Sequence, residues 1–219
     1  MTLTFAGELD RNDVIHAVDQ LADLVGRPEV AEAWTQESSC SGMSVGGLTR
    51  HLGDQAVNIV KLLRPDNQAP PDVETIAVLE HYARAVWLRE DLEGDANRSI
   101  RESADRQAST GHEVAVTTLA AARGDLEAVL ADAPPTTYIP WQGWALATDD
   151  FLVTRLMEMV VHADDLAVSV DVDPPRFEES VLDPVLRLLT GIAVRRHGQD
   201  ALVRTLSRPD RAPQEVSAF

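Results

Sequence analysis

A carboxylate and an imidazole stand four residues apart in an otherwise apolar stretch, at Glu158 and His162. In a helix, residues at i and i+4 lie on one face with their Cβ atoms about 5–6 Å apart, close enough to bind one ion. Arg155 and Asp165 fall on the same face, within a sector of about 80°. The spacing therefore predicts a polar stripe on a helix spanning residues 149–170.

The residues around this stripe are apolar on most of the remaining circumference, which indicates a helix buried on several sides. Buried charges persist in proteins when they are paired or bound to metal. One interpretation is therefore an internal network of ion pairs. Arg155 would pair with Glu158 in that network, and Asp165 would pair with His162. The other interpretation is a metal site, and this segment alone leaves both open.

A second polar stripe repeats the same spacing near residue 50. Ser44 is a typical N-cap residue and predicts a helix over residues 44–63. Its polar face carries, at i, i+3, i+7 and i+10, His51, Asp54, Asn58 and Lys61. Two helices with matching polar stripes can bury these stripes against each other or around a ligand bound between them.

Three residues of the two stripes have the side chains of a zinc site: His51, Glu158 and His162. Two imidazoles and a carboxylate suit zinc or a related divalent transition metal and leave one position open. Asp54 and Asp165 each follow a candidate histidine by three residues, so each carboxylate is a candidate for orienting an imidazole. A lone histidine in the position of His51 is more often packed or exposed than a metal ligand. The assignment of His51 as a ligand therefore depends on the pairing of the two helices.

The length of 219 residues predicts one large domain, or one domain with a small appendage. No apolar run is long enough to span a membrane, and the N-terminus lacks the pattern of a signal peptide, so we expect a cytoplasmic protein. The single cysteine, Cys40, excludes an intramolecular disulfide. Its small polar segment, residues 38–43, indicates a loop or minor packing residue rather than a nucleophile, and the alternative of a thiol that meets a metal-bound partner stays open.

The formal net charge of -17 limits the classes of partner. Nucleic acids and anionic membranes are bound through basic surfaces, which an acidic chain of this kind does not offer. We therefore expect no nucleic acid and no membrane among the partners, while a homodimer is left open.

The chain is expected to be helical nearly throughout, with proline and glycine separating the segments. The predicted helices span residues 10–25, 44–63, 72–92, 95–130, 149–170 and 178–196, followed by a short helix and tail over 197–209. Residues 136–149 predict a short hairpin that holds Trp141 and Trp144. The two indoles would either wall the mouth of a metal site or plug the end of a bundle.

Three segments carry a likeness to a known family. They are Leu48-Thr-Arg-His-Leu52, Thr154-Arg-Leu-Met-Glu-Met-Val-Val-His-Ala-Asp-Asp-Leu-Ala167, and the ending Arg196-His-Gly-Gln-Asp-Ala-Leu-Val-Arg-Thr-Leu206 with Phe219. The combination resembles the mycothiol-dependent maleylpyruvate isomerase family, which has the DinB-like fold. The resemblance implies an all-α, up-down four-helix bundle, and the residues that follow it in this chain predict a short C-terminal helical extension. It also implies a divalent metal at one end of the bundle, bound by His51, Glu158 and His162.

The resemblance also sets an expectation for the C-terminal region. The isomerase looks longer, with a separate C-terminal domain that contributes to its active site, whereas residues 176–219 are too few for an independent domain of ordinary size. We expect residues 1–175 to form the DinB-like metal-binding bundle, and residues 176–219 to form a helix and tail packed on the same domain. Maleylpyruvate is therefore not assigned as the substrate.

Residues and resemblance together predict a metal-dependent enzyme, with zinc as the leading metal, that uses mycothiol as a low-molecular-weight thiol. The metal would take the thiol sulfur at its open position and lower its pKa, and the thiolate would attack a small electrophilic substrate for transfer or isomerisation. Arg155 is the candidate for stabilising a carboxylate or a developing oxyanion. The alternatives are a metal-dependent hydrolase, with water in the open position, and a non-catalytic metal-binding stress-response module.

Overall fold

The computed structural model describes residues 3–89 and 94–219, and this part of the chain is mostly helical. The helices are α1 (Asn12–Val25), α2 (Pro28–Glu32), α3 (Val45–Leu63), α4 (Val78–Arg84), α5 (Val86–Arg89), α6 (Asp95–Ala108), α7 (His112–Ala131), α8 (Thr148–Ser169), α9 (Glu179–His197) and α10 (Gln199–Ser207). Two short strands, β1 (Thr136–Ile139) and β2 (Trp144–Ala147), join α7 to α8, and a 3-10 turn spans Pro209–Arg211. The predicted all-α fold of DinB-like type is confirmed.

The helices α1, α3, α7 and α8 form the bundle. α3 contacts both α7 and α8, and α1 contacts the same two helices, so the four close a ring. Their facing sides carry apolar residues at helical spacing, among them the fully buried Val18, Leu52, Leu126 and Leu156. These side chains belong to one continuous core, which holds α3 and α8 side by side.

α3 begins at the predicted N-cap. Ser44 Oγ accepts a hydrogen bond from the Gly47 N–H at 2.9 Å, and the Ser44 hydroxyl donates to Asp105 of α6. Asp105 also accepts from the Ser44 backbone N–H at 3.1 Å. The helix start is thereby tied both to its own first turn and to α6, which sets the position of His51 about two turns later.

α8 has no side-chain N-cap, and two acidic residues in its first turn connect it to the N-terminal segment. Asp149 accepts hydrogen bonds from the Gly7 N–H at 2.8 Å and from Arg11 Nε at 3.0 Å. Asp150 accepts from the Phe5 N–H. Negative charge is favourable at a helix N-terminus, so these contacts stabilise the start of the helix that carries the polar stripe.

The prediction of one helix over residues 72–92 is wrong. Its first part is extended: Thr75 pairs with Ala145 of β2, and the Ile76 N–H donates to the Ala145 carbonyl at 2.9 Å. Helical structure begins only at α4 and continues as α5, and residues 90–93 lie outside the described residues. Pairing with a strand far along the chain has overridden the local helical spacing.

The predicted helix over residues 95–130 is two helices, α6 and α7. The chain turns between them at Gly111, whose φ of +91° lies in the left-handed region that glycine adopts without a Cβ penalty. Gly124, by contrast, lies inside α7 and does not interrupt it. The predicted hairpin is confirmed, with β1 and β2 antiparallel and Ile139 opposite Trp144.

The C-terminal helices extend the same core. α9 packs along α8, and its Val185 and Leu188 join the apolar cluster of the bundle, while α10 contacts α9. The ring of Phe219 lies 6.0 Å from that of Tyr82. The division into residues 1–175 and 176–219 stays a prediction. None of the described helices is long and apolar enough to cross a lipid bilayer.

Candidate metal centre

α3 and α8 bring His51, Glu158 and His162 together. Glu158 Oε2 lies 3.5 Å from His51 Nε2 and 3.3 Å from His162 Nε2. The two imidazole rings are 4.9 Å apart at their centroids, with an interplanar angle of 81°. One donor atom from each residue lies within 4.8 Å of the other two. The three side chains therefore face one another across the contact between the two helices.

These separations fit ligands of a shared ion better than they fit hydrogen bonds. An N–H···O hydrogen bond is usually about 2.7–3.2 Å long, so the two contacts of Glu158 are long for hydrogen bonds. Around a tetrahedral zinc ion with bonds of about 2.0–2.1 Å, neighbouring ligand atoms lie about 3.3–3.4 Å apart. Two imidazole nitrogens and a carboxylate oxygen are also donors that zinc binds. The residues present thus fit a divalent transition metal in both geometry and donor type.

The centre lies near the surface of the bundle. The side chains of His51, Glu158 and His162 are 24%, 14% and 22% exposed. They are thus half-buried rather than enclosed in the core.

Asp165 lies beside the outer nitrogen of His162. Its Oδ2 is 2.9 Å from His162 Nδ1. A carboxylate at one imidazole nitrogen favours the proton there, which leaves the lone pair of Nε2 for an ion. This is the orienting contact that the spacing of the two residues suggests, and its importance for metal binding stays a prediction.

The charges of the site depend on one another. Burial opposes the ionised form of Glu158, but the adjacent imidazoles of His162 and His51 outweigh burial, so the pKa of Glu158 lies well below its usual range. Burial likewise opposes the protonated form of His162, but hydrogen bonds, first with Asp165 and then with Cys40, raise its pKa well above the usual value. The cluster therefore favours a positive charge at His162, which a divalent ion can supply in place of the proton.

Residues 14–167 match the family described as mycothiol maleylpyruvate isomerase N-terminal domain. The chain belongs to this family. The matched segment includes all three residues of the candidate metal centre, whereas α9 and α10 lie beyond it. No curated protein and no solved structure matches the chain. The family description associates the domain with mycothiol, a low-molecular-weight thiol.

Arg155 lies in this family domain one turn before Glu158. Its Nη1 donates to Gln55 Oε1 at 2.7 Å and its Nε donates to Thr154 Oγ1 at 3.1 Å. Its guanidinium also lies over the ring of Phe151, 5.6 Å from the centroid. Among the described residues, no carboxylate accepts a hydrogen bond from Arg155, so the Arg155–Glu158 ion pair of the alternative interpretation is not formed. A catalytic role for Arg155 stays a prediction.

Asp54 contacts Arg50 of its own helix and Gln107 of α6. Its Oδ1 lies 3.9 Å from Arg50 Nη2, and its carboxylate shares a hydrogen bond with Gln107. Burial raises the pKa of Asp54, although Arg50, Gln107 and His51 all oppose the shift. Within the described part of the chain, Asp54 makes no hydrogen bond to His51. Its predicted role in orienting that imidazole stays a prediction without a direct contact to support it.

The two tryptophans of the hairpin behave differently from each other. Trp144 packs against the core and donates from Nε1 to His81 Nδ1 at 3.1 Å. Trp141 is 54% exposed. The indoles therefore do not act together as a wall or as a plug.

His81 is a buried histidine that the sequence patterns did not single out. Its side chain lies in α4 and is only 5% exposed. Burial, and secondarily the positive charge of Arg155, lower the pKa of His81 to about 4 although Glu158 opposes the shift. The imidazole is therefore neutral at neutral pH. Its short helix carries no polar stripe, so no pattern within the sequence could have placed it near the centre.

Proposed function

We propose that this chain is a divalent-metal-dependent enzyme that activates mycothiol for transfer to, or isomerisation of, a small electrophilic substrate. The observation that carries the proposal is the placement of His51, Glu158 and His162 at the separations of ligands around one zinc-like ion. Membership of the family supports mycothiol as the thiol. The partial exposure of the three side chains supports a site near the surface, where small molecules bind.

The chain supplies the groups that hold and orient such an ion. His51 and His162 offer imidazole nitrogens, and Glu158 offers a carboxylate oxygen. Asp165 keeps the proton of His162 on Nδ1, away from the ion. When bound, a zinc-like ion supplies a Lewis-acid position that lowers the pKa of a thiol beside it.

In this proposal Arg155 stabilises negative charge on the substrate. Gln55 and Thr154 hold its guanidinium through neutral hydrogen bonds, so no direct carboxylate contact neutralises it. Within the described residues its Nη2 has no hydrogen-bond partner. Arginine in such a position can donate to a carboxylate or to a developing oxyanion.

The ligand set is tested first by metal content. Replacing His51, Glu158 or His162 by alanine should sharply reduce the ions bound per chain, measured by elemental analysis of the purified protein. His112→Ala and His197→Ala are matched controls, because these rings contact the backbone carbonyls of Val25 and Ser217 instead. Equal metal content in the wild type and in His162→Ala would contradict the site.

Thiol activation is tested by optical spectroscopy of the cobalt-substituted protein. Adding mycothiol should produce a sulfur-to-metal charge-transfer band in the near ultraviolet, because a soft thiolate is a good fourth ligand. The band should persist in Cys40→Ser, which shows that the sulfur is that of the added thiol, and it should be absent in His51→Ala. An unchanged cobalt spectrum combined with hydrolysis of an ester or amide would replace thiol transfer by water activation.

A further inference from the structure

Cys40 lies in the loop between α2 and α3, and this loop is attached to α8. The Ser39 backbone N–H donates to Ser169 Oγ at 2.8 Å, and Ser39 Oγ donates to the carbonyl of Asp165 at 2.9 Å. Inside the loop, Ser38 Oγ accepts from the Cys40 N–H at 3.2 Å and donates to the carbonyl of Met43 at 2.8 Å. These contacts hold the half-buried thiol of Cys40 against the last turns of α8.

The thiol meets two further donor groups at this place. Cys40 Sγ lies 3.4 Å from Asp165 Oδ2, and the same oxygen lies 2.9 Å from His162 Nδ1. One donor atom from each of the three residues lies within 4.8 Å of the other two. The group uses the outer nitrogen of His162, whereas Glu158 faces the inner one.

The separations are compatible with ligands of one ion. With metal–sulfur bonds of about 2.3 Å and metal–nitrogen or metal–oxygen bonds of about 2.0–2.2 Å, tetrahedral ligand atoms lie about 3.3–3.6 Å apart. The sulfur–oxygen distance already has this value. The oxygen–nitrogen distance is that of a hydrogen bond and would open by about 0.5 Å when an ion replaces the proton.

We propose that Cys40, Asp165 and Nδ1 of His162 form a second metal position, selective for thiophilic ions such as Cd²⁺ or Zn²⁺. Binding there displaces the thiol proton of Cys40 and the Nδ1 proton of His162. A sulfur ligand favours soft ions over hard ones, so Mg²⁺ and Ca²⁺ are disfavoured at this position.

The second position excludes the first. A neutral imidazole has one lone pair available, because its other nitrogen carries the proton. An ion on Nδ1 therefore places the proton on Nε2, where it faces Glu158 and cannot leave a lone pair for a second ion. Excess thiophilic metal would thus remove His162 from the ligands of the first position and inhibit the proposed enzyme. This consequence rests on the proposed function, whereas the second metal position does not depend on it.

The test is a titration of the metal-free protein with Cd²⁺ in the absence of added thiol. Glu158→Gln removes a ligand of the first position but none of the second, so this variant should develop a thiolate-to-cadmium band in the ultraviolet. The double variant Glu158→Gln/Cys40→Ser should show no band. His51→Ala provides a second background should Glu158→Gln fail to fold, as monitored by circular dichroism.

Two further arms decide between a built position and a lone thiol. In the Glu158→Gln background, Asp165→Asn should weaken cadmium affinity by about tenfold or more, because it removes a charged ligand. The proposal would be overturned if Asp165→Asn left the cadmium affinity of the Glu158→Gln protein unchanged. It would also be overturned if the band were absent in both the Glu158→Gln and His51→Ala backgrounds.

The exclusion of the first position by the second is tested on the wild type. Elemental analysis should give one Cd²⁺ per chain, and two ions per chain would overturn the exclusion. Because these arms do not require the first position, they can succeed even if the proposed enzyme function fails.

Discussion

The imidazole of His81 shows how burial controls charge at the scale of one residue. Its side chain accepts a hydrogen bond from Trp144, whose indole is a donor only, so His81 Nδ1 is the unprotonated nitrogen. Desolvation is the largest cause of its lowered pKa. A buried neutral histidine of this kind makes stability depend on pH, because the unfolded chain takes up the proton first.

His81→Gln should reduce the loss of stability in mild acid. The folded pKa is about 4, and the unfolded value is about 6.5. Between pH 6.5 and pH 4 the unfolded state binds a proton that the folded state does not bind. The free energy of unfolding therefore decreases as the pH is lowered through this window, by up to about 3 kcal/mol. Urea unfolding at a series of pH values, with chelator present, should give a shallower slope for the variant. Parallel slopes for the two proteins would show that His81 does not titrate as described.

At the scale of the element, the start of α3 decides where His51 lies. Trp34 crosses this start, with Nε1 donating to the carbonyl of Ala108 at 3.0 Å and its ring packed edge-on against that of His112. A Cβ atom at Gly46 would lie 2.6 Å from the Trp34 ring, whereas one at Gly53 would meet nothing within 4 Å. The same helix thus contains one glycine that packing requires and one that it does not.

The two glycines of α3 predict opposite changes in the free energy of unfolding. Gly46→Ala should destabilise the protein by about 1–3 kcal/mol, because the indole is fixed by its contacts and cannot move aside easily. Gly53→Ala should stabilise it by about 0.5–1 kcal/mol, because alanine is the better helix former where space is free. Chemical denaturation measures both, and each variant is the control for the other. Destabilisation by Gly53→Ala of the same size as by Gly46→Ala would refute this description of the helix.

At the scale of the whole molecule, the apolar core and the metal centre contribute separately to stability. The core runs through α1, α3, α7, α8 and α9, and its buried residues do not include the three candidate ligands. A ligand that binds only the folded state adds about 2.7 kcal/mol at 100 times its dissociation constant. We therefore expect the ion to stabilise a fold that already exists without it.

Chelation at neutral pH should lower the melting temperature by about 5–10 °C and leave the helical circular dichroism signal intact. The shift should be absent in His51→Ala, which lacks a ligand. The shift in melting temperature should also become smaller as the pH is lowered. This decrease should begin above the ordinary imidazole range, because the raised pKa of His162 lets protons compete with metal at a higher pH. Complete unfolding on chelation would instead identify the ion as structural.

Much of the framework and the three candidate ligands follow from the sequence alone. The N-cap at Ser44, the helices that carry His51 and Glu158, and the hairpin before α8 depend on contacts between residues close along the chain. Helical spacing places His162 one turn from Glu158 regardless of the rest of the fold. Only the meeting of His51 with Glu158 and His162 required an assumption about tertiary packing, and the structure brings these three residues together.

Tertiary structure decided the rest. The segment before α4 is extended because it pairs with β2, about 70 residues further along the chain, and no local pattern encodes that partner. For the same reason Cys40, which the sequence indicated as a minor loop residue, meets Asp165 and His162, and His81 becomes a neutral buried base. Local spacing determined which side chains share a helix face, whereas the contacts of loops and the pKa values of buried groups depend on neighbours that only the folded chain supplies.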